Sequence, residues 1–164
     1  MSKIMIGVMG PGPAATEEDL KNAHQLGRLI AERGWVLLTG GMASGVMDAA
    51  SRGTDEAGGL VVGILPTEDA THASKAVHIP IVTGMGSARN NINILSSSVV
   101  VACGIGPGTA SEIALTIKAG KKVVLLNNIE ESHAFFRKLG GEAITVVDSP
   151  EEAIDCIEEC IKER

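Results

Sequence analysis

The chain has no tyrosine, one tryptophan and two phenylalanines among its 164 residues. Such a scarcity of rings argues against a groove for single-stranded nucleic acid, which grips successive bases on several aromatic faces. Positive charge is short as well, because 14 Lys and Arg stand against 20 Asp and Glu and leave a formal net charge of −6. No global field attracts nucleic acid or an anionic membrane surface, so neither is expected as a partner. Any bound anion must be held by local donors. Three cysteines, Cys103, Cys156 and Cys160, form an odd set without a secretory pattern, and reduced thiols are expected rather than disulfides. No apolar run approaches the roughly 20 residues that cross a bilayer, and Met1-Ser-Lys-Ile4 leads straight into a strand pattern; a cytoplasmic protein is expected. The four histidines are scattered, and Cys156 and Cys160 share a helix face with no third ligand nearby, so no protein-ligated metal is expected.

What the chain does have is glycine, 20 residues of it, and an apolar content of 45% that suits one buried core, read as a single domain over residues 1–164. Short runs of Val, Ile and Leu alternate with helical patterns from end to end. Strands are expected at Lys3 to Gly10, Trp35 to Thr39, Leu60 to Leu65, His78 to Val82, Val99 to Cys103, Lys122 to Leu126 and Ile144 to Val147. Helices are expected at Glu17 to Arg33, Gly45 to Glu56, Arg89 to Leu95, Thr109 to Ala119, Glu130 to Leu139 and Pro150 to Lys162. Strands that are apolar on both faces mark a buried parallel sheet, and the helices between them supply its crossovers. The fold class is therefore α/β: a three-layer, doubly wound, Rossmann-like sheet with helices on both faces. Gly34 and Gly120 sit where helix ends favour a left-handed residue. Ser149, Pro150 and Glu152 look like the cap, first residue and capping-box carboxylate of the last helix.

Open parallel sheets bind ligands beyond the carboxyl ends of their strands, and three loops in that position are glycine-rich: Gly10-Pro-Gly12, Thr39 to Gly45, and Gly104 to Gly108. Each alone could serve turn geometry only. Together they suggest one anion pocket, with unpaired amides of Thr109 to Glu112 at the positive end of a helix dipole. The dinucleotide fingerprint fits poorly, since Pro11 and Pro13 remove amides that a pyrophosphate would use, and a Walker A motif is absent. Arg89, after the turn Gly84-Met-Gly-Ser-Ala88, could clamp a phosphate bidentately or pair with a surface carboxylate. Glu112 suits a helix first turn without any function, and could equally accept a hydrogen bond from a ligand. Cys103, at the end of its strand, is read as a buried thiol close to the third loop.

Gly40-Gly-Met-Ala-Ser-Gly-Val-Met47 and Gly104-Ile-Gly-Pro-Gly-Thr-Ala-Ser-Glu112 resemble the two signatures of the Rossmann-like, lysine decarboxylase-like superfamily. Its cytokinin-activating phosphoribohydrolases carry a GGGxxGLM loop, an Arg-Lys pair and PGGxGTxxE, the arginine and the last glutamate being catalytic. Alignment on Thr109 puts that arginine at Arg89 and that glutamate at Glu112. Asn90 replaces the lysine and Gly104-Ile105 the opening proline-glycine, which implies an altered pocket. Within the superfamily, Gly7 to Gly12, Leu37 to Gly41, Ile79 to Gly84, Gly86 to Arg89 and Gly106 to Ala110 are similar to the molybdenum cofactor carrier proteins, most strongly between Ile6 and Leu126.

This resemblance implies a homotetrameric binding protein that stores and protects molybdenum cofactor (molybdopterin) as cargo and delivers it to molybdoenzymes or cofactor-insertion proteins. The expected binding residues are Gly10, Gly12, Thr39, Gly40, Gly41, Ser44, Gly45, Ser87, Arg89, Asn90, Gly104, Gly106, Gly108, Thr109 and Glu112, with no catalytic residue. Two alternatives stay open: a nucleotide 5′-monophosphate phosphoribohydrolase using Arg89 and Glu112, and a nucleotide-sensing or structural oligomer with an incidental anion site.

Overall fold

A computed structural model describes residues 3–162. Seven strands form one parallel sheet: β1 (Met5–Met9), β2 (Val36–Thr39), β3 (Leu60–Leu65), β4 (Ile79–Val82), β5 (Val99–Cys103), β6 (Val123–Leu126) and β7 (Ile144–Val147). Their order is β4-β3-β2-β1-β5-β6-β7, so the chain winds outward from β1 in one direction and then returns to continue in the other. The crevice between β1 and β5 is where that reversal falls, the usual ligand position in such sheets.

Six helices cover the sheet: α1 (Glu17–Glu32), α2 (Gly45–Glu56), α3 (Asn90–Ser96), α4 (Pro107–Lys118), α5 (Glu130–Gly140) and α6 (Pro150–Lys162). The strand side chains alternate between two cores. Val99, Val101 and Cys103 of β5 pack with α1, α2 and α6 through Leu26, Ala50 and Ile154. Val100 and Ala102 face the other way, toward Ile94 of α3, Ile113 of α4 and Phe136 of α5. Because both faces are sealed, each interior strand can be apolar at every position. α1 and α2 touch backbone to backbone, where Gly27 lies against Ala50 and Gly53 against His24, and the Thr54 hydroxyl donates to the Gly27 carbonyl at 2.9 Å.

Local chemistry sets the element ends. Gly34 and Gly120 adopt φ values of 70° and 68° after α1 and α4, as the sequence pattern indicates. The Glu152 amide is capped by Ser149 Oγ at 3.2 Å, while the Glu152 carboxylate accepts from the amide of Asp148, one residue earlier than a capping box requires. A reciprocal capping box instead opens α1. The Thr16 amide donates to Asp19 Oδ2 at 2.9 Å, and the Asp19 amide donates to Thr16 Oγ1 at 3.1 Å.

α4 departs from expectation in a way that matters for the site. It begins at Pro107 rather than Thr109, since proline's fixed φ and missing N–H suit a first helical position. The Ala110 amide donates to the Gly106 carbonyl at 2.8 Å. The unpaired first-turn donors are consequently those of Gly108 and Thr109, not a run from Thr109 to Glu112. Arg89 also shifts: it closes a 3-10 turn, Gly86–Arg89, and α3 starts one residue later at Asn90.

Candidate functional site

At the carboxyl ends of β1, β2 and β5 lies a cavity of about 330 Å³. The loop after β1 supplies Gly10 through Ala14, the loop after β2 supplies Gly40, and the start of α4 supplies Gly106 through Thr109; Met47, Arg89, Asn90 and Glu112 complete the wall. Nine of the expected residues therefore meet here: Gly10, Gly12, Gly40, Arg89, Asn90, Gly106, Gly108, Thr109 and Glu112. The other six stand behind or beside this wall. Thr39 is buried and its hydroxyl accepts from the Gly41 amide at 3.0 Å, so both act as the turn that presents Gly40. Ser44 and Gly45 begin α2 and pack under the first loop at Gly12. Ser87 is exposed in the 3-10 turn. Gly104 faces away, against the Asp19 carboxylate. The apolar lining, Met9, Pro11, Pro13, Ala14, Met47 and Pro107, was not among the sequence candidates, although Pro107 carried a signal as a first-position helix proline.

The wall is electrostatically uneven. Arg89 Nη1 donates to the Ile64 carbonyl at 2.8 Å, which pins the guanidinium beside Gly40, and Arg89 Nε is buried with no partner. Burial lowers the pKa of this guanidinium, and the Glu112 charge works against that fall; an arginine so perturbed still carries its charge. Thr109 is 2% exposed and its hydroxyl is also unpartnered. An orphaned N–H and an orphaned hydroxyl are costly when nothing completes them, by about 1–3 kcal/mol each. Their position on one wall, beside the free amides of Gly108 and Thr109, is a set of donors arranged for an oxyanion.

Glu112 sits deeper, 7% exposed, with Asn93 Nδ2 donating to its Oε1 at 3.1 Å. Burial pushes its carboxyl up to about 6, against the opposing pull of the Asn93 hydrogen bond and of Arg89. Asn93, also outside the expected set, is fully buried and its Oδ1 has no partner. Asn90 Nδ2 donates to Ser111 Oγ at 3.0 Å, and Ser111 Oγ donates to the Gly108 carbonyl at 2.6 Å, tying α3 to the first turn of α4. Cys103 is fully buried behind the loop, its thiol 3.4 Å from the Asp19 carbonyl and pushed by burial well above the ordinary thiol range. It does not reach the cavity wall.

A doubly wound sheet with a donor-lined pocket at its reversal point defines the class: a Rossmann-like α/β protein. The chain belongs to the SLOG cluster4 family, which it matches over residues 3–154. Among solved structures it is similar to the molybdenum cofactor binding protein of the phototrophic bacterium Rippkaea orientalis, with 55% identity, a TM-score of 0.97 and coverage of 98% of this chain and 99% of that one. It is likewise similar to the Moco carrier protein of Chlamydomonas reinhardtii, with 49% identity, a TM-score of 0.94 and coverage of 99% and 100%. An uncharacterized protein of Archaeoglobus fulgidus is 40% identical over 163 residues, covering 99% of this chain and all of that protein. Among the described residues no helix is long and apolar enough to cross a membrane.

Proposed function

We propose that this protein binds, stores and protects molybdenum cofactor and hands it to molybdoenzymes or cofactor-insertion proteins, working in the cytoplasm as a homo-oligomer, a tetramer, of one-domain subunits. The observation that carries the proposal is the wall formed by Arg89 Nε, Thr109 Oγ1 and the free amides of Gly108 and Thr109, buried donors without partners around one cavity. The cargo is a pterin with a terminal phosphate and a dithiolene-held oxo-molybdenum group, and either oxyanionic end suits that donor set. Metal enters as cargo, with no protein ligand to it. The likeness to molybdenum cofactor carriers over the whole chain supports the same reading. Exposed Ile79, Ile81 and Val82 on the edge strand β4 support association with further copies.

The test is protection of released cofactor. Cofactor incubated with this protein should keep its capacity to reconstitute a cofactor-free nitrate reductase, and Arg89→Ala should lose most of that protection. A second reading rests on Glu112, whose raised carboxyl pKa beside Arg89 suits proton transfer in a phosphoribohydrolase. Hydrolysis of AMP to adenine and ribose 5-phosphate, lost in Glu112→Ala, would establish that reading and sink the pure carrier.

A further inference from the structure

Across the loop Gly104-Ile105 from the donor-lined cavity lies a second cavity of about 300 Å³, and the two share Ala14 in their walls. Its chemistry is the reverse of the first. Its wall carries the carboxylates of Glu18 and Asp19 and no Lys or Arg. Asp19 Oδ2 is held by the Thr16 amide, so the carboxylate is fixed in orientation, and Gly104, lacking a side chain, leaves it uncovered.

Asn127 forms the opposite wall at the end of β6. It is 8% exposed, its Oδ1 accepts from the Ile129 amide at 3.0 Å, and its Nδ2 is buried without a partner. The Ile129 bond fixes which end of the amide is which, so the orphan is a donor. A fixed acceptor pair and an orphaned donor in the lining of one cavity complement a ligand edge that reads carbonyl oxygen, then ring N–H, then exocyclic amine.

We propose that this second cavity is a subsite for a 2-amino-4-oxopyrimidine edge, with Asn127 Nδ2 donating to the oxo group and the Asp19 carboxylate accepting from the ring N–H and the amine. The inference rests on the cofactor-binding reading of the neighbouring cavity. A phosphorylated pterin would then lie across Ala14 with its phosphate at Arg89 and its ring at Asn127. The same edge occurs in guanine, and the shared chemistry leaves the source to experiment.

Pterin fluorescence on binding 6-hydroxymethylpterin monophosphate provides the readout, with inorganic phosphate as competitor. Asn127→Asp keeps the oxygen that the Ile129 amide and His133 Nε2 meet, and puts an anionic acceptor in place of the orphan donor on a wall that already holds Glu18 and Asp19, so it should weaken the phosphorylated pterin about tenfold or more. Phosphate affinity should stay at the wild-type level. Wild-type protein should also prefer this pterin over the corresponding lumazine, whose 2-oxo group removes the amine, by about tenfold or more. That comparison needs no variant to fold. Equal affinity for pterin and lumazine, or an Asn127→Asp protein that binds the pterin as tightly as wild type while Arg89→Ala does not, overturns the subsite and leaves the carrier reading intact. Undiminished binding in Arg89→Ala would instead overturn the carrier pocket. Tighter, Asn127-dependent binding of GMP would sustain edge recognition and overturn the pterin as its occupant.

Discussion

The glycines of the first two loops and the last two of the third, Gly106 and Gly108, serve opposite purposes, although all read alike as a pattern. A Cβ at Gly10 would collide with the Cys103 carbonyl and with Val46, one at Gly40 with the Arg89 guanidinium, and one at Gly45 with the Pro11 and Gly12 carbonyls. Those three are glycine because protein packs on them. At Gly106 the nearest atom to a Cβ is Pro11 Cβ at 3.4 Å, and at Gly108 nothing lies within 4 Å. The Gly106 to Gly108 end of the third loop is open to whatever enters the cavity. One side of the pocket is thus a foundation and the other, open side is the proposed docking face, and substitutions should separate them.

The largest effect is expected at the foundation. Gly45 combines a φ of 54° with contact against two carbonyls, so Gly45→Ala should cost about 3 kcal/mol of stability, seen as a lowered midpoint in chemical denaturation. A protein as stable as wild type would show that α2 can move away from the first loop. Arg89 comes next, a foundation residue whose charge faces the cavity. Loss of a charged donor should weaken cofactor binding by about tenfold to a hundredfold in Arg89→Ala, measured as retention of cofactor on gel filtration. Gly40→Ala should reproduce much of this loss by displacing the same guanidinium, and equal affinity in both variants and wild type would remove Arg89 from the site.

Glu112 tests the boundary between the two sides through pH. Its carboxyl titrates at about 6 in the folded protein against 4.5 for an ordinary glutamate, so the unfolded chain gives up this proton first. The favourable contribution is complete below pH 4.5 and is lost as the pH rises through 6, amounting to about 2 kcal/mol. Glu112→Gln should flatten the stability profile across that window. A mutant profile parallel to wild type would mean that the Asn93 hydrogen bond and Arg89 fully offset the burial.

Much of the fold is legible in the sequence because β3 and β5 are apolar runs without a polar side chain, bounded by turn residues, and their ends coincide with the structure. Parallel strands sealed on both faces leave little ambiguity of that kind. Doubly wound order follows from the alternation of strands and helices, and the comparison structures share it. Legibility declines at the site. Asn93 reaches Glu112 across 19 residues, a pairing that no local pattern encodes. Thr39 and Ser44 look like ligand donors in sequence, yet the Thr39 hydroxyl is engaged by the Gly41 amide and Ser44 packs against Gly12. The helix is expected from Thr109, whereas Pro107 takes its first position, and so the free amides begin one residue earlier than expected.

Gly108 gives the smallest effect and the sharpest contrast, because its two consequences have opposite signs. It lies at the second position of α4, carries no positive φ, and has open space where a side chain would project. Alanine there restricts the unfolded chain and favours the helix, which should stabilise the protein by about 0.5–1 kcal/mol. The same methyl group stands on the cavity wall beside the free amides of Gly108 and Thr109, where the anion of the proposed cargo would approach the backbone closely. Gly108→Ala should therefore melt higher while binding cofactor more weakly, and the bulkier Gly108→Val should bind weaker still. A foundation glycine cannot behave in this way, since filling its space damages fold and binding together. If Gly108→Ala gains stability with no loss of affinity, the anion does not rest on this turn, and the docking face must be sought at Arg89 and Gly106 instead.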